Sequence, residues 1–234
     1  DKAENEVTEL ISLSENNAIV NASNTKVVMT IADNTKDFVV TQNVVGSIKS
    51  FYNELFSNSY TDDVRKKKLE EDINSRLAAN IVFESAKVLE NDLYGSAMIF
   101  ETKFAIPERL QSVGSLKISS IPFLDKVYTR NIIEENERNY DIAYTKYENC
   151  KEYNSEIIMN IAEGKKFTEI PENKVLVNKN HKYEITFELL KPNSLKINRN
   201  VKLSWDNIKK EDYPEFKKYV EDVIEIEKQI VGFK

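Results

Sequence analysis

Cys150, His181 and Asp206 follow one another in the order thiol, imidazole, carboxylate, which is the chain order of a thiol-protease-like triad. A thiol becomes a good nucleophile when its pKa is lowered, commonly at a helix N-terminus with an imidazole held against it. Cys150 instead stands in Tyr147-Glu148-Asn149-Cys150-Lys151-Glu152, between two glutamates whose charges push a thiol pKa upward. His181 lies in Asn180-His181-Lys182, which reads as an exposed turn. The pattern favours an incidental cysteine and a solvated histidine. A stand-alone cysteine hydrolase or acyl transferase using Cys150 and His181 is the alternative.

Other chemistries fail on residue counts. With one His and one Cys in 234 residues, zinc would need extra carboxylates, and neither a His-Glu-x-x-His nor a Cys-x-x-Cys spacing exists. Asp33, Asn34 and Asp37 cluster in one turn, but the Gly and the terminal Glu of an EF-hand loop are missing. The five glycines stand apart, so neither a P-loop nor a dinucleotide fingerprint can be built. Arg65-Lys66-Lys67-Lys68 resembles an anion site until Glu70, Glu71 and Asp72 are read one turn later; this is a solvated helix face laced by i,i+4 pairs. No cofactor and no metal are expected, and the chain is read as non-enzymatic.

One aromatic cluster remains. Tyr140, Tyr144, Tyr147 and Tyr153 could stack against sugars or anchor a protein partner if they formed a flat exposed row. Alternatively, Tyr140, Ile142 and Tyr144 share the inner face of one strand and fill a core.

Apolar residues make up 41% of the chain and charged residues 31%, which is the balance of a globular protein with a heavily solvated surface. A net charge of -6 opposes general binding to a phosphate backbone, so nucleic acid is not expected as a partner. No apolar run approaches the length of a bilayer span.

The elements that would position these residues are mostly strands. Val27 to Ile31 and Phe38 to Thr41 flank a turn-forming cluster and read as a β-hairpin. Phe83 to Leu89, Met98 to Ile106 and Leu116 to Ile121 follow as strands, and the alternation of Met98, Phe100, Phe104 and Ile106 is the clearest. In the second half Ile157, Met159 and Ile161 alternate, as do Tyr183, Ile185, Phe187 and Leu189, and Leu195 to Trp205 marks a long strand or a bent pair. Thr61-Asp62-Asp63 opens a helix over about 61–79. Asp212-Tyr213-Pro214-Glu215, read as an N-cap with Pro in the first turn, opens an amphipathic helix over about 213–230. The fold class is α+β and β-rich: antiparallel, sandwich-like sheets with these two helices. Pro122 marks the boundary between two units, 1–122 and 123–234, which can also pack as one domain.

Two stretches carry a family resemblance. Thr30-Ile31-Ala32-Asp33-Asn34 through Val45-Gly46 is similar to a strand, turn and strand ending in a lone Gly, followed by a polar helix-forming segment. Arg138-Asn139-Tyr140-Asp141-Ile142 resembles an Arg-x-Tyr-Pro-Ile-like pattern with Asp141 in place of the Pro. Ile157 to Glu163, Ile170-Pro171-Glu172 and the closing Glu211 to Val231 continue the likeness. The family is the C-terminal, non-catalytic domains of unknown function of exported Bacteroidota transglutaminase-like proteins. The resemblance implies a catalytic core outside this chain, a periplasmic or cell-surface location, and a partner that is a protein domain or envelope component, glycan included. It assigns no catalytic role to Cys150 or His181. The function expected is that of an accessory or binding module, with a carbohydrate-binding, adhesin-like module as a further alternative.

Overall fold

A computed structural model describes residues 20–92, 95–128, 130–144, 150–204 and 206–234. The alternation in the first hairpin becomes β1 (Ala22–Ile31) and β2 (Lys36–Val45), joined by the tight turn in which Ala32 N–H donates to the Thr35 carbonyl. Two helices follow, α1 (Ser47–Phe56) and α2 (Asp62–Leu77), then β3 (Val82–Asn91), β4 (Ala97–Ile106), β5 (Gln111–Val113) and β6 (Leu116–Ser120). After a 3-10 turn over Arg130–Ile133 come β7 (Glu152–Ile161), β8 (Phe167–Glu169), β9 (Lys174–Asn178), β10 (His181–Lys191), β11 (Ser194–Lys202), α3 (Tyr213–Glu227) and β12 (Ile230–Phe233).

The strands form an eight-stranded sheet, in the order β3-β4-β2-β1-β7-β11-β10-β9, and a four-stranded antiparallel sheet, β5-β6-β12-β8. The large sheet is mixed, where the sequence reading expects antiparallel pairing throughout. β1 and β7 run parallel, with Val27 opposite Ile157 and Ile31 opposite Ile161. Parallel neighbours need a long crossover, and here it contains β2, α1, α2 and β3 to β6. The sheet therefore continues across the boundary read at Pro122, with four strands from either side of it.

One face of the sheet carries the core. Val27, Met29, Phe38, Val40, Phe104, Ile157, Met159, Ile185 and Ile197 are buried beneath α3 and the small sheet. Val44, Met98 and Phe100 on the same face meet Tyr52 and Leu55 of α1 and Leu69 of α2. All three helices thus lie on one side. Burial at about 25 cal/mol per Å² of apolar surface favours this layered arrangement.

α1 is a helix beyond the two that periodicity predicts. It starts after Gly46, whose φ of 77° suits glycine. α2 opens as expected, with the Thr61 hydroxyl accepting from Val64 N–H. Lys66–Glu70 and Lys67–Glu71 approach to 4.0 and 3.9 Å on its exposed face. α3 differs at both ends. Asp212 makes no side-chain cap, because its carboxylate pairs with Lys179. The helix stops at Glu227, short of the 230 expected, and Ile230 opens β12, which pairs between β6 and β8. β-branched Ile230 and Val231 followed by Gly232 suit a strand better than a helical last turn.

Candidate functional site

The structure separates the residues of the supposed triad. His181 is the first residue of β10 and is 3% exposed, which overturns its reading as a solvated turn residue. Lys179 takes up the left-handed turn conformation at φ 51°, so the chain has re-entered the sheet by His181 and its ring points inward. Tyr128, Tyr144, Phe216 and Tyr219 surround the imidazole, and the Tyr128 hydroxyl lies 3.3 Å from Nδ1. Burial pulls its pKa down to about 4, with Asp206 acting weakly the other way. The Asp206 carboxylate is taken up by Ser204 and Asn180, at 2.6 and 2.9 Å.

Cys150 is fully buried, with Sγ placed to donate to the carbonyls of Asn21 and Glu152, at 3.3 and 3.1 Å. Lys202 pairs with Glu152 on one side and with Lys182 on the other. Cys150 and His181 therefore belong to strand ends separated by β11, two strand spacings or roughly 10 Å apart. That is beyond hydrogen-bond reach for a nucleophile and its base.

The tyrosines occupy different environments. Tyr140 is 84% exposed, Tyr144 is buried at 1%, and Tyr153 packs from β7 against the core. Tyr147 lies outside the described residues. Ile142 forms only an isolated bridge to Ile208, so Tyr140 and Tyr144 do not belong to a strand. Among the described residues, no group of three His, Cys, Asp or Glu side chains is placed to hold a metal ion.

Two other features stand out. The first is a cleft of about 790 Å³ between the C-terminal ends of α2 and α3, floored by Met29, Phe38, Ile121 and Phe123. Most of its charged lining is paired within the chain: Lys36 with Glu108 at 2.8 Å, Arg76 with Asp72 and Asp125 at 2.9 and 3.3 Å, and Glu227 with Arg199 at 2.6 Å, while Lys126 donates to the Ser75 carbonyl. Burial pushes the Glu227 carboxyl up against the pull of the Arg199 guanidinium. Arg199 has no exposed surface. It also donates to the Asp125 carbonyl at 2.8 Å and the Ser155 hydroxyl at 3.0 Å, and stacks over Phe123 at 4.6 Å.

The second is a polar band through the middle of the large sheet. The registers align Gln42, Thr25, Ser155 and Arg199 in one row across β2, β1, β7 and β11. On this inner face Thr25 and Ser23 donate to the buried Asp125 carboxylate, at 3.0 and 3.3 Å. The neighbouring row, on the opposite face, is Asn43, Asn24, Asn154 and Asn200, continued by Glu184 of β10. No described helix covers that face. Asn154 Nδ2 donates to Asn24 Oδ1 at 2.9 Å, and Asn43 Oδ1 is buried with no partner among the described residues. The row lines a shallow depression of about 530 Å³, together with Lys26, Glu156 and Thr186. The inner network of Arg199 and Asp125 ties these strands to the layer beneath, and so holds the outer amides in register.

Sequence reasoning missed this row. Each strand shows only a short polar stretch, Ser23 to Lys26, Thr41 to Asn43, Asn154 to Glu156 or Asn198 to Asn200. The signal appears only when four strands are laid side by side.

No described helix is long and apolar enough to cross a membrane. No curated protein matches the chain, and no solved structure does. Residues 115–233, just over half of the chain, match the family model described as a domain of unknown function with a solved structure, DUF3858. The matched span runs from β6 through β12 and contains β7 and β11, which supply half of the asparagine row. The chain belongs to the DUF3858 family.

Proposed function

We propose that this chain is a non-catalytic binding module that accompanies a transglutaminase-like core in an exported protein and holds an envelope component. The observation that carries the reading is the uncovered outer face of the large sheet, where polar side chains from five strands converge in one row. Sheets built mainly of antiparallel pairs, as this one is apart from β1 and β7, commonly leave one face to solvent. Here that face is shaped into a depression carried by strands that are tied from beneath. The small sheet and the helices act as the second layer of a sandwich-like unit that supports it.

Catalysis has weaker support. Cys150 and His181 are both buried, and the strand end of β11 lies between them. Lys36, Arg76 and Glu227 in the large cleft are each engaged in an ion pair.

The test pairs two measurements. Retention of the purified chain on isolated cell-envelope material is compared between the wild type and an N154D/N200D variant, which adds charge to the outer row without touching the core. Ester and amide hydrolysis is assayed in parallel for the wild type and Cys150→Ala. The expected result is retention that the outer-row variant loses, with no turnover that depends on Cys150. Turnover abolished by Cys150→Ala would refute the reading.

A further inference from the structure

The amide chemistry of the outer row identifies the kind of ligand it fits. An asparagine side chain offers two N–H donors and a carbonyl acceptor without net charge. Four of them in one line, on adjacent strands, make a surface that pairs with other amides and is indifferent to pH. After the Asn154-to-Asn24 bond at 2.9 Å is counted, Asn24 keeps both of its hydrogens, and Asn154 keeps its carbonyl and one hydrogen. Asn43 Oδ1 has no donor among the described residues although it is buried.

We infer that the row is a subsite for an extended glycan bearing N-acetyl groups, laid across the strands from Asn43 to Glu184. This rests on the binding-module reading above and adds the substrate class. An acetamido group carries one N–H and one carbonyl, the complement of what the row presents. In an extended β-1,4-linked chain successive sugars alternate in orientation, so acetamido groups on every second sugar face the same side. Their separation matches two strand spacings, about 9.6 Å, and places one group over Asn43 and Asn24 and the next over Asn154 and Asn200. Glu184, beyond Asn200, accepts from sugar hydroxyls at the end of the row.

A protein partner is the less favoured occupant. Protein interfaces are anchored by buried aromatic and Arg side chains, and the row contains none of these. Absence of an aromatic platform also means that binding depends on hydrogen bonds, so it should respond sharply to removal of an amide.

The experiment is isothermal titration of the purified chain with three hexasaccharides: β-1,4-linked N-acetylglucosamine, its de-N-acetylated form, and the corresponding glucose oligomer. The variants are Asn200→Ala, which is exposed and leaves the fold intact, and N43A/N154A/N200A, with thermal melting as the control for folding. The expected result is binding of the N-acetylated oligomer alone, at least tenfold weaker in the triple variant. Equal affinity for the glucose oligomer would overturn the amide inference and leave the module reading standing. So would no binding to any oligomer while N154D/N200D still loses retention on envelope material. Loss of that retention difference as well would overturn both.

Discussion

His181 gives the account a quantitative handle on how firmly the core is closed. Its ring is packed among Tyr128, Tyr144, Phe216 and Tyr219, and among the described residues Asp206 is the charged group that acts on it. The folded-state pKa of about 4 lies below the ordinary value of 6.5. The fold therefore prefers the neutral imidazole, and the stability this preference represents is complete above about pH 6.5 and is lost as the pH falls toward 4. At 1.36 kcal/mol per pKa unit, the full loss is about 3 kcal/mol, of which ~2.5 kcal/mol has gone by pH 4.5. Carboxylates titrate over the same interval, so the measurement must be differential. Urea unfolding of the wild type and of His181→Phe is followed between pH 7 and pH 4.5. Phe preserves the aromatic packing and gives up only the contact with the Tyr128 hydroxyl. The difference in stability between the two proteins is expected to move by ~2.5 kcal/mol in favour of the variant over that interval. Parallel pH profiles, or an imidazole that titrates near 6.5 in the native protein, would show His181 to be solvated and refute the reasoning.

Further outcomes follow from the same structure. Arg199→Met strands the Glu227 carboxylate in a buried site and should cost about 3–5 kcal/mol; R199M/E227Q should recover part of that loss, as read by chemical denaturation. Gly46→Ala places a Cβ 2.0 Å from Asn21 Oδ1 at a φ of 77°. It should destabilise the chain by about 1–3 kcal/mol, visible as a lower melting temperature. The Cys150 thiol, sealed between the Asn21 and Glu152 carbonyls, should resist alkylation in the native protein and react fully in urea. Rapid native labelling would mark it as an accessible nucleophile.

The strands were legible because their periodicity is local. Met98, Phe100, Phe104 and Ile106 alternate in the sequence and are buried on one face of β4. α2 was equally plain, since Thr61 and the acids behind it are a local start signal. What escaped depends on distant partners. Ile230 and Val231 continue the apolar pattern of α3, and only pairing with Ser120 and Ser119 of β6 makes them a strand. His181 follows a polar turn, and its burial is set by Tyr144 and α3, which approach from elsewhere in the chain. Arg199 looks like any strand cation until Glu227, Ser155 and Asp125 close around it. The asparagine row is the extreme case, because its four members come from four strands and share no stretch of sequence.

The central claim is that the uncovered sheet face binds through its asparagines. Asparagine side-chain amides give their own signals in a proton–nitrogen correlation spectrum, which makes the claim directly visible. Titration with the N-acetylglucosamine hexamer should shift the side-chain resonances of Asn43, Asn24, Asn154 and Asn200 together, while residues lining the cleft between α2 and α3 stay in place. Shifts confined to the cleft, with the asparagine amides unmoved, would contradict it.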